Sequence, residues 1–312
     1  MIVFGPVPSR RLGQSLGINN IPPKTCSYSC VYCQIGRTNR MQIKRCEFYK
    51  PEDIFSQTER KIRELKDRGE HLDYITYVAD GEPTLDENLG IAINLLKQFG
   101  VKIAVITNAS LLWADEVKED LMKADWVSLK TDAADKDTWR RIDRPHGYLD
   151  FDRVMTGMID FARSFKGTLV TETMLVSGYN DKTECIDQIG KHIGKLKPSK
   201  AYLLVPTRPP AESGVQRPLT QELKETFKII RESAHVDVEC IIGDEGESFF
   251  FADDIINDLL SIISVHPVKE DVIDKLLKER NLSREVVKNL IEQGLIEEFI
   301  YENKKFYMKK LR

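Results

Sequence analysis

The sequence lacks the features that mark membrane proteins, secreted proteins and proteins with a chain-wide basic surface. It has no uninterrupted apolar run of the about 18 residues that a bilayer crossing needs. Residues 1–13, MIVFGPVPSRRLG, have neither the apolar core nor the cleavage site of a signal peptide. Basic residues are not in excess, since 46 Lys and Arg against 49 Asp and Glu give a formal net charge of −3. We therefore expect a cytoplasmic protein that does not bind membranes, and any polyanion site on it must be local.

Histidine and cysteine are also scarce, with five histidines and six cysteines in 312 residues. Half of the cysteines nevertheless fall in one octapeptide, CSYSCVYC, as Cys26, Cys30 and Cys33. In a reducing compartment such a cluster is more typical of a metal or catalytic site than of disulfides. The remaining cysteines, Cys46, Cys185 and Cys240, are isolated from one another.

The cysteine cluster has no evident fourth ligand. No histidine precedes His71, and no second CxxC pair is present. Three thiolates around a soft metal centre would leave one coordination position open, as suits an iron–sulfur cluster. A structural zinc site is a weaker alternative because it needs four closed ligands, and three unrelated buried thiols are weaker still.

Apolar, β-branched runs alternate with amphipathic stretches up to about residue 250, which is typical of strand–helix units on a parallel sheet. Each of these runs leads directly into a polar or Gly/Pro-rich segment, and loops at the carboxyl ends of parallel strands build active sites. We predict an α/β fold for residues 1–255, an open six-stranded (β/α)6 partial TIM barrel. Its six strands are expected at residues 14–19, 74–80, 102–108, 126–132, 168–176 and 201–207.

The pattern changes after residue 254 to short helices followed by a pair of strands. Three helices and a β-hairpin in so few residues predict a winged helix over residues 256–312. Winged helices bind nucleic acid or proteins, and the sequence leaves both possibilities open. The predicted helices cover residues 254–265, 269–281 and 283–294, and the predicted strands cover 295–301 and 304–310.

The spacing CxxxCxxC, with Tyr32 directly before the last cysteine, resembles the signature of the radical S-adenosylmethionine (radical SAM) superfamily. This resemblance implies a 4Fe-4S cluster on Cys26, Cys30 and Cys33, with S-adenosyl-L-methionine on the open iron. It also implies reductive cleavage of that cofactor to a 5′-deoxyadenosyl radical. The electron would come from a donor such as ferredoxin or flavodoxin.

Further segments resemble the superfamily's cofactor-binding elements. ADGEPTL (79–85) resembles the Gly-Gly-Glu segment that binds the methionine amino group, with an aspartate in place of the first glycine. ITNASLL (106–112) and SLKTDA (128–133) resemble the segments near the ribose and carboxylate, and MLVSGYND (174–181) resembles the segment near the adenine. Taken alone, each Asn, Ser or Asp in them is equally consistent with an ordinary turn. The cofactor-binding residues implied are Tyr32, Asp80, Gly81, Glu82, Asn108, Ser128, Asp132 and Val176.

Within the superfamily, residues 4–19, 140–147 and 206–212 are most similar to the branch that contains the wyosine-type tRNA synthase. That enzyme is expected to hold a second cluster on three cysteines upstream of the signature, and this chain has none before Cys26. We therefore predict one cluster and an RNA or protein/peptide substrate. The alternatives are a radical rearrangement of a small molecule and a non-catalytic, metal-dependent winged-helix regulator.

Basic residues are concentrated at residues 9–11 and 139–146. Arginine side chains there would suit phosphate or carboxylate groups of a substrate. They could equally form ion pairs with nearby acids on a solvated surface.

Overall fold

A computed structural model describes residues 2–78, 80–241, 260, 263, 267–279, 282–301 and 304–309. Its main feature is an eight-stranded sheet in the order β1-β2-β5-β6-β7-β8-β9-β10. From β2 to β10 all neighbouring strands run parallel. The strands of this sheet are β1 (Val3–Ser9), β2 (Gly13–Ile18), β5 (Tyr74–Tyr77), β6 (Lys102–Thr107), β7 (Trp126–Lys130), β8 (Thr168–Met174), β9 (Lys200–Leu204) and β10 (Val238–Ile241).

The two strands missing from this order lie in the loop after β2. There β3 (Thr25–Cys26) and β4 (Arg40–Met41) form a short parallel pair of their own. This pair holds the cysteine loop, residues 20–50, in a fixed conformation beside the main sheet.

Helices connect the parallel strands. Helix α5 shows how they form: the carboxylate of Asp150 accepts the backbone N–H of Arg153 at 2.9 Å, and the helix then buries Val154, Met158 and Phe161 on one face. No helix in the described part of the chain is long and apolar enough to cross a membrane. The helices of this region are α1 (Pro51–Asp67), α2 (Leu89–Leu96), α3 (Asp115–Leu121), α4 (Lys136–Ile142), α5 (Phe151–Ser164), α6 (Thr183–Leu196) and α7 (Thr220–Ala234).

The prediction of an α/β fold with six parallel strands is confirmed, but the sheet has two further strands at its edges. Strand β1 pairs antiparallel with β2, and β10 extends the parallel series beyond β9. Strand β1 contains Pro6 and Pro8, and no strand was predicted over its residues. Proline is tolerated there because an edge strand does not need every N–H for pairing.

Both faces of the sheet are buried, as a parallel sheet requires. Side chains alternate along each strand. In β6, Ile103 and Val105 belong to the large core that includes residues of α1, α2 and α5, whereas Ala104 packs with Leu12 and Trp126 on the opposite, inner face. Ile106 and Leu204, which pack against this inner core, also line a cavity at the carboxyl ends of the strands.

The C-terminal part has a small core of its own, which includes Val268, Leu276, Leu290, Ile296 and Tyr307. It consists of β11 (Val268–Lys269), the helices Glu270–Glu279 and Glu285–Glu292, β12 (Ile296–Tyr301) and β13 (Lys304–Lys309), with a three-stranded sheet in the order β11-β13-β12. The second and third predicted helices and both strands are thus present. The boundary at 255/256, the turn at 302–303 and all but two residues of the first predicted helix lie outside the described residues.

Candidate functional site

The carboxyl ends of the parallel strands surround a cavity of about 300 Å³. Strands β6 to β10 and the segments that follow β2 and β5 contribute to its wall. This convergence agrees with the expectation that the polar segments after the strands lie together. The wall includes Cys26, Cys30 and Cys33 after β2, Asp80, Gly81 and Glu82 after β5, Asn108 after β6, Lys130 in β7, Glu172 and Met174 in β8, and Pro206, Thr207 and Arg208 after β9.

The three clustered cysteines are free thiols that face this cavity. Burial raises the pKa of Cys26 to about 12, with a further contribution from Glu82, and burial is also the largest cause of the raised pKa of Cys30 and Cys33. The thiols are therefore protonated at neutral pH until a metal displaces the protons. The donor set, three partly buried thiols on one cavity, fits an iron–sulfur cluster.

No three His, Cys, Asp or Glu side chains in the described ranges lie close enough together to hold a single metal ion. In an iron–sulfur cluster each cysteine binds a different iron atom, so its thiolates need not meet at one point.

The segment after β5 is attached to the cysteine loop through its backbone. The N–H of Glu82 donates to the carbonyl of Thr25 at 3.2 Å, and the N–H of Lys24 donates to the carbonyl of Asp80 at 2.7 Å. A Cβ atom on Gly81 would lie 1.8 Å from the Thr25 carbonyl oxygen. Only glycine allows the two segments to approach this closely.

Asp80, where the superfamily has the first glycine, has a structural partner at the end of β2. Its carboxylate accepts from the side-chain Nδ2 of Asn19 at 2.7 Å, and its backbone N–H donates to the side-chain Oδ1 of Asn19 at 2.7 Å. The aspartate thus joins the end of β2 to the end of β5.

Glu82 is buried, with 1% of its surface exposed, and both of its carboxylate oxygens accept hydrogen bonds. Oε1 accepts from the hydroxyls of Thr84 and Thr107, both at 2.6 Å, and Oε2 accepts from the Asn108 N–H at 2.7 Å. Burial raises the pKa of Glu82, and these hydrogen bonds oppose the shift. The result is a fixed carboxylate that can pair with an ammonium group in the cavity.

Asn108 connects this carboxylate to the cysteines. Its side-chain amide donates to the Ser27 hydroxyl at 2.9 Å and lies 3.5 Å from the Cys26 sulfur. Its Oδ1 accepts from the N–H of Ser110 at 3.0 Å, which fixes the orientation of the amide.

The structure places Ser128, Asp132 and Val176 away from the described cavity wall. The Ser128 hydroxyl donates to Glu172 at 2.7 Å, and Asp132 accepts from the Tyr32 hydroxyl and, at 2.7 Å, from the Met174 N–H. Val176 is fully buried. Ser128 and Asp132 thus support residues of the wall, because Tyr32, Glu172 and Met174 do line the cavity.

Sequence reasoning placed Arg11 only within a basic segment and did not identify Lys130 or Glu172 as site residues, yet all three line the cavity. Arg11 forms an ion pair with Glu172. Burial would raise the pKa of Glu172, but Arg11, Lys130 and Ser128 together lower it. A charged residue within an otherwise apolar strand, such as Glu172 in TLVTETM, was the available signal.

The loop after β9 is held against the cysteine loop by charged side chains. Glu212 accepts from Arg37 at 2.8 and 2.9 Å and from Arg144 at 2.6 Å, and Arg208 donates to the Gln34 amide oxygen at 3.1 Å. Arg144 and Arg208 thus have defined protein partners. The hydrogen bond between Arg208 and Gln34 lies in the cavity wall, so this contact joins the two loops at the cavity.

The other three cysteines are not part of the described cavity wall. Cys46 lies beside Gln42, Cys185 is buried in α6 near Thr138, and Cys240 is in β10. Whether the enzyme holds a single cluster stays a prediction.

Comparisons with known proteins identify the family. Residues 20–188 match the model of the radical SAM superfamily. A UPF0026 protein of Methanocaldococcus jannaschii is 44% identical over 312 residues, which cover all of this chain and 97% of that protein.

Two solved structures have a similar fold. A radical SAM methyltransferase from Sphaerobacter thermophilus superposes with a TM-score of 0.57 at 14% identity, covering 73% of this chain and 66% of that one. The structure of TYW1 with a lysine-pyruvate adduct bound gives a TM-score of 0.52 at 18% identity, covering 72% and 76%. The chain therefore belongs to the UPF0026 family within the radical SAM superfamily, whose members are enzymes that use S-adenosylmethionine and an iron–sulfur cluster.

Proposed function

We propose that this enzyme holds one 4Fe-4S cluster on Cys26, Cys30 and Cys33 and acts on an RNA or a protein/peptide side chain. Such a cluster, when bound, would supply the electron that cleaves S-adenosylmethionine to methionine and a 5′-deoxyadenosyl radical, which abstracts hydrogen from the substrate. The observation that carries the proposal is the position of Asn108, which contacts the Cys26 sulfur and the Glu82 carboxylate at once.

The residues of the chain have separate parts in this chemistry. Glu82 would bind the methionine ammonium, and its threonine partners keep the carboxylate in place. Asn108 would keep the first cysteine and Glu82 at a constant separation. The apolar part of the wall, formed by Ile106, Leu204 and Ile241, would keep water away from a radical.

Beside the cysteine loop, an exposed surface supports a macromolecular substrate. Tyr148 is 87% exposed, and its ring lies 5.5 Å from that of His146. The N–H of His146 donates to the Ser27 carbonyl at 2.9 Å, so this aromatic pair lies next to the cysteines. Arg140 is exposed in the preceding helix. Exposed aromatic and basic side chains suit the bases and phosphates of RNA, or an extended peptide.

The C-terminal part would act as a winged helix, spanning residues 256–312, that selects the substrate or a partner. Its separate core and its helix–hairpin order support this assignment. A chain that ends near residue 254 should then still cleave S-adenosylmethionine slowly, provided that it remains soluble. Loss of cofactor binding in a folded truncation would contradict this division.

The decisive experiment is anaerobic reconstitution with iron and sulfide, followed by reduction in the presence of S-adenosylmethionine. We expect 5′-deoxyadenosine to accumulate, with reduced flavodoxin or ferredoxin serving as electron donor. A fully loaded protein that forms none over many hours would contradict the proposed activity.

A further inference from the structure

The loop that carries the clustered cysteines is strongly basic, although the chain as a whole is slightly acidic. Residues 20–50 contain six Lys or Arg side chains and one acid, Glu47, which gives the loop a formal charge of +5 in a chain of net charge −3. The carboxylate of Glu47 accepts from the Asn88 side chain at 2.8 Å, outside the loop. Because like charges repel, this density of cations in one loop indicates a partner of opposite charge.

Two of the six cations have carboxylate partners within the chain. Arg37 is paired with Glu212, and Arg45 is paired with Asp120. The other four have no carboxylate within 4 Å among the described residues, and they are Lys24, which faces the cavity, and the exposed Arg40, Lys44 and Lys50.

An exposed apolar side chain lies among these exposed cations. Met41 follows Arg40 and has 37% of its surface exposed. We call Arg40, Met41, Lys44 and Lys50 the basic loop surface. A flexible apolar side chain with basic neighbours is typical of a surface that binds another protein.

The basic loop surface is attached directly to the first cysteine. Met41 is the strand partner of Cys26 in the β3–β4 pair, and the N–H of Gln42 donates to the Cys26 carbonyl at 3.1 Å. Paired strands lie about 4.8 Å apart, so the surface begins one strand away from a proposed cluster ligand. A protein bound there would bring its own redox group near the cluster without entering the cavity.

A different part of the chain lies along the other flank of the cysteine segment. The carbonyl of Ser27, the residue after Cys26, accepts from the N–H of His146 at 2.9 Å, and the N–H of Val31 donates to the Ile142 carbonyl at 2.9 Å. This flank leads to the exposed Tyr148, which the proposed function assigns to the substrate. The two surfaces therefore lie on different flanks, so a second partner can bind while the substrate is in place.

We propose that the basic loop surface binds the protein that delivers the electron, a small acidic carrier of the ferredoxin or flavodoxin class. This inference rests on the proposed function, since it names where the donor to that same cluster docks. One electron leaves the carrier, which is oxidised, and enters the cluster, which is reduced. No bond forms or breaks, and no proton is transferred. Complementary charge raises the rate of encounter, and electron-transfer interfaces are small, as this surface is.

RNA is the other polyanion that a basic surface could bind, but the loop is poorly suited to it. Single-stranded RNA binds through bases that stack on exposed aromatic side chains. Residues 20–50, all of which the structure describes, expose no aromatic ring, because Tyr28 and Tyr32 are buried and Phe48 and Tyr49 pack partly against the core. These observations favour an acidic protein.

The test uses the full chain loaded with its cluster and follows cluster reduction by the loss of visible absorption, without S-adenosylmethionine or substrate. The reductants are an acidic ferredoxin and an acidic flavodoxin, each photoreduced, and photoreduced 5-deazaflavin, a small molecule that needs no docking. The variant combines Arg40→Glu with Lys44→Glu. The matched control combines Arg60→Glu with Lys66→Glu, which makes the same change of charge at two exposed residues of α1.

We expect at least one carrier to reduce the wild type, at a rate that decreases as salt is added, since salt screens exposed charges. That carrier should reduce the loop variant at least about tenfold more slowly, and should reduce the α1 control within about twofold of the wild-type rate. Deazaflavin should reduce all three proteins equally fast, which a merely structural defect in the loop variant would not allow.

Three results would overturn the proposal: no reduction of the wild type by either carrier, equal carrier rates in the wild type and the loop variant, or an equal slowing of the loop variant with deazaflavin. Binding of a single-stranded RNA oligonucleotide that is lost in the loop variant, with unchanged carrier rates, would assign the surface to RNA instead. If the loop variant does not hold a cluster, the single variants Lys44→Glu and Lys50→Glu, which lie outside the β3–β4 pair, decide by the same rates.

The reduction rates need no cleavage of S-adenosylmethionine, so the two proposals can fail separately. A wild type that shows the expected rates but forms no 5′-deoxyadenosine would contradict the proposed function alone. A wild type that forms 5′-deoxyadenosine, while each carrier reduces it no faster than the loop variant, would contradict the docking surface alone.

Discussion

The side-chain amide of Asn108 lies 3.5 Å from the sulfur of Cys26, although the two residues are 82 positions apart in the chain. The same residue donates its backbone N–H to Glu82. A displacement of the cysteine loop must therefore also disturb the carboxylate. The first three predictions concern residues of these two connected segments: the cysteines, Glu82 and Gly81.

Replacing Cys30 by alanine should abolish the cluster, because two thiolates cannot hold it. Iron and sulfide analysis and the visible absorption spectrum would measure the loss. The matched control replaces Cys46, Cys185 and Cys240 together by serine, and should retain about four irons per chain. A halved iron content in the control would show that a second cluster exists.

Glu82→Gln should weaken S-adenosylmethionine binding by about 1.5–3 kcal/mol, which is about tenfold or more in affinity, since a charge-assisted contact with the ammonium is lost. Glutamine retains an oxygen for the threonine hydroxyls but loses the acceptor for the Asn108 N–H, so denaturant unfolding must first show that the variant is folded. Calorimetry on the cluster-loaded protein measures the change, with Glu87→Gln, on the exposed side of the same loop, as the control. Equal affinities of the two variants would remove Glu82 from the cofactor site.

Gly81→Ala should destabilise the protein by about 2 kcal/mol or more, because the new methyl group would meet the Thr25 carbonyl at 1.8 Å and one backbone segment must move. Gly214→Ala is the control, since a Cβ atom there has no neighbour within 4 Å. Denaturant unfolding of the cofactor-free proteins measures both. Similar midpoints for the two variants would contradict the close approach of the two segments.

His192 in α6 should make the protein sensitive to acid. Burial lowers its pKa from 6.5 to about 4, and its Nε2 has no hydrogen-bond partner in the described structure. Between these two pKa values the unfolded chain binds more protons than the folded one, so stability decreases as the pH decreases. From pH 7 to pH 5 the loss from this residue should be about 2 kcal/mol.

His192→Leu should remove that loss, as measured by denaturant unfolding of the cofactor-free proteins at both pH values. Asp86 acts in the opposite direction, because burial raises its pKa to about 6 and the folded state then binds the extra proton as the pH decreases. This contribution is the same in both proteins and cancels in the comparison. Equal decreases in the free energy of unfolding from pH 7 to pH 5 in the wild type and His192→Leu would contradict this prediction.

Local patterns were enough to predict the parallel strands and the cysteine site. The runs that became β6 and β7 are short, apolar and followed by polar residues, and three cysteines in one octapeptide are visible without a structure. The role proposed for Glu82 came from resemblance, because no local rule distinguishes DGEP from an ordinary turn.

What remained hidden depends on contacts between distant residues. Arg11 and Glu172 form their ion pair across 161 positions, and only the folded sheet shows that these two charges meet. For the same reason Ser128 and Asp132, which are polar residues at a strand end, could not be recognised as supports behind the wall.

The reciprocal hydrogen bonds between Asn19 and Asp80 bear on the order of assembly. They close a chain segment of about 60 residues that contains the whole cysteine loop. Before β2 and β5 pair, the thiols and Glu82 belong to an open loop with no fixed separation. We therefore expect the sheet to form first and the metal to enter a folded protein, so that the cysteines acquire affinity for iron only at the end of folding.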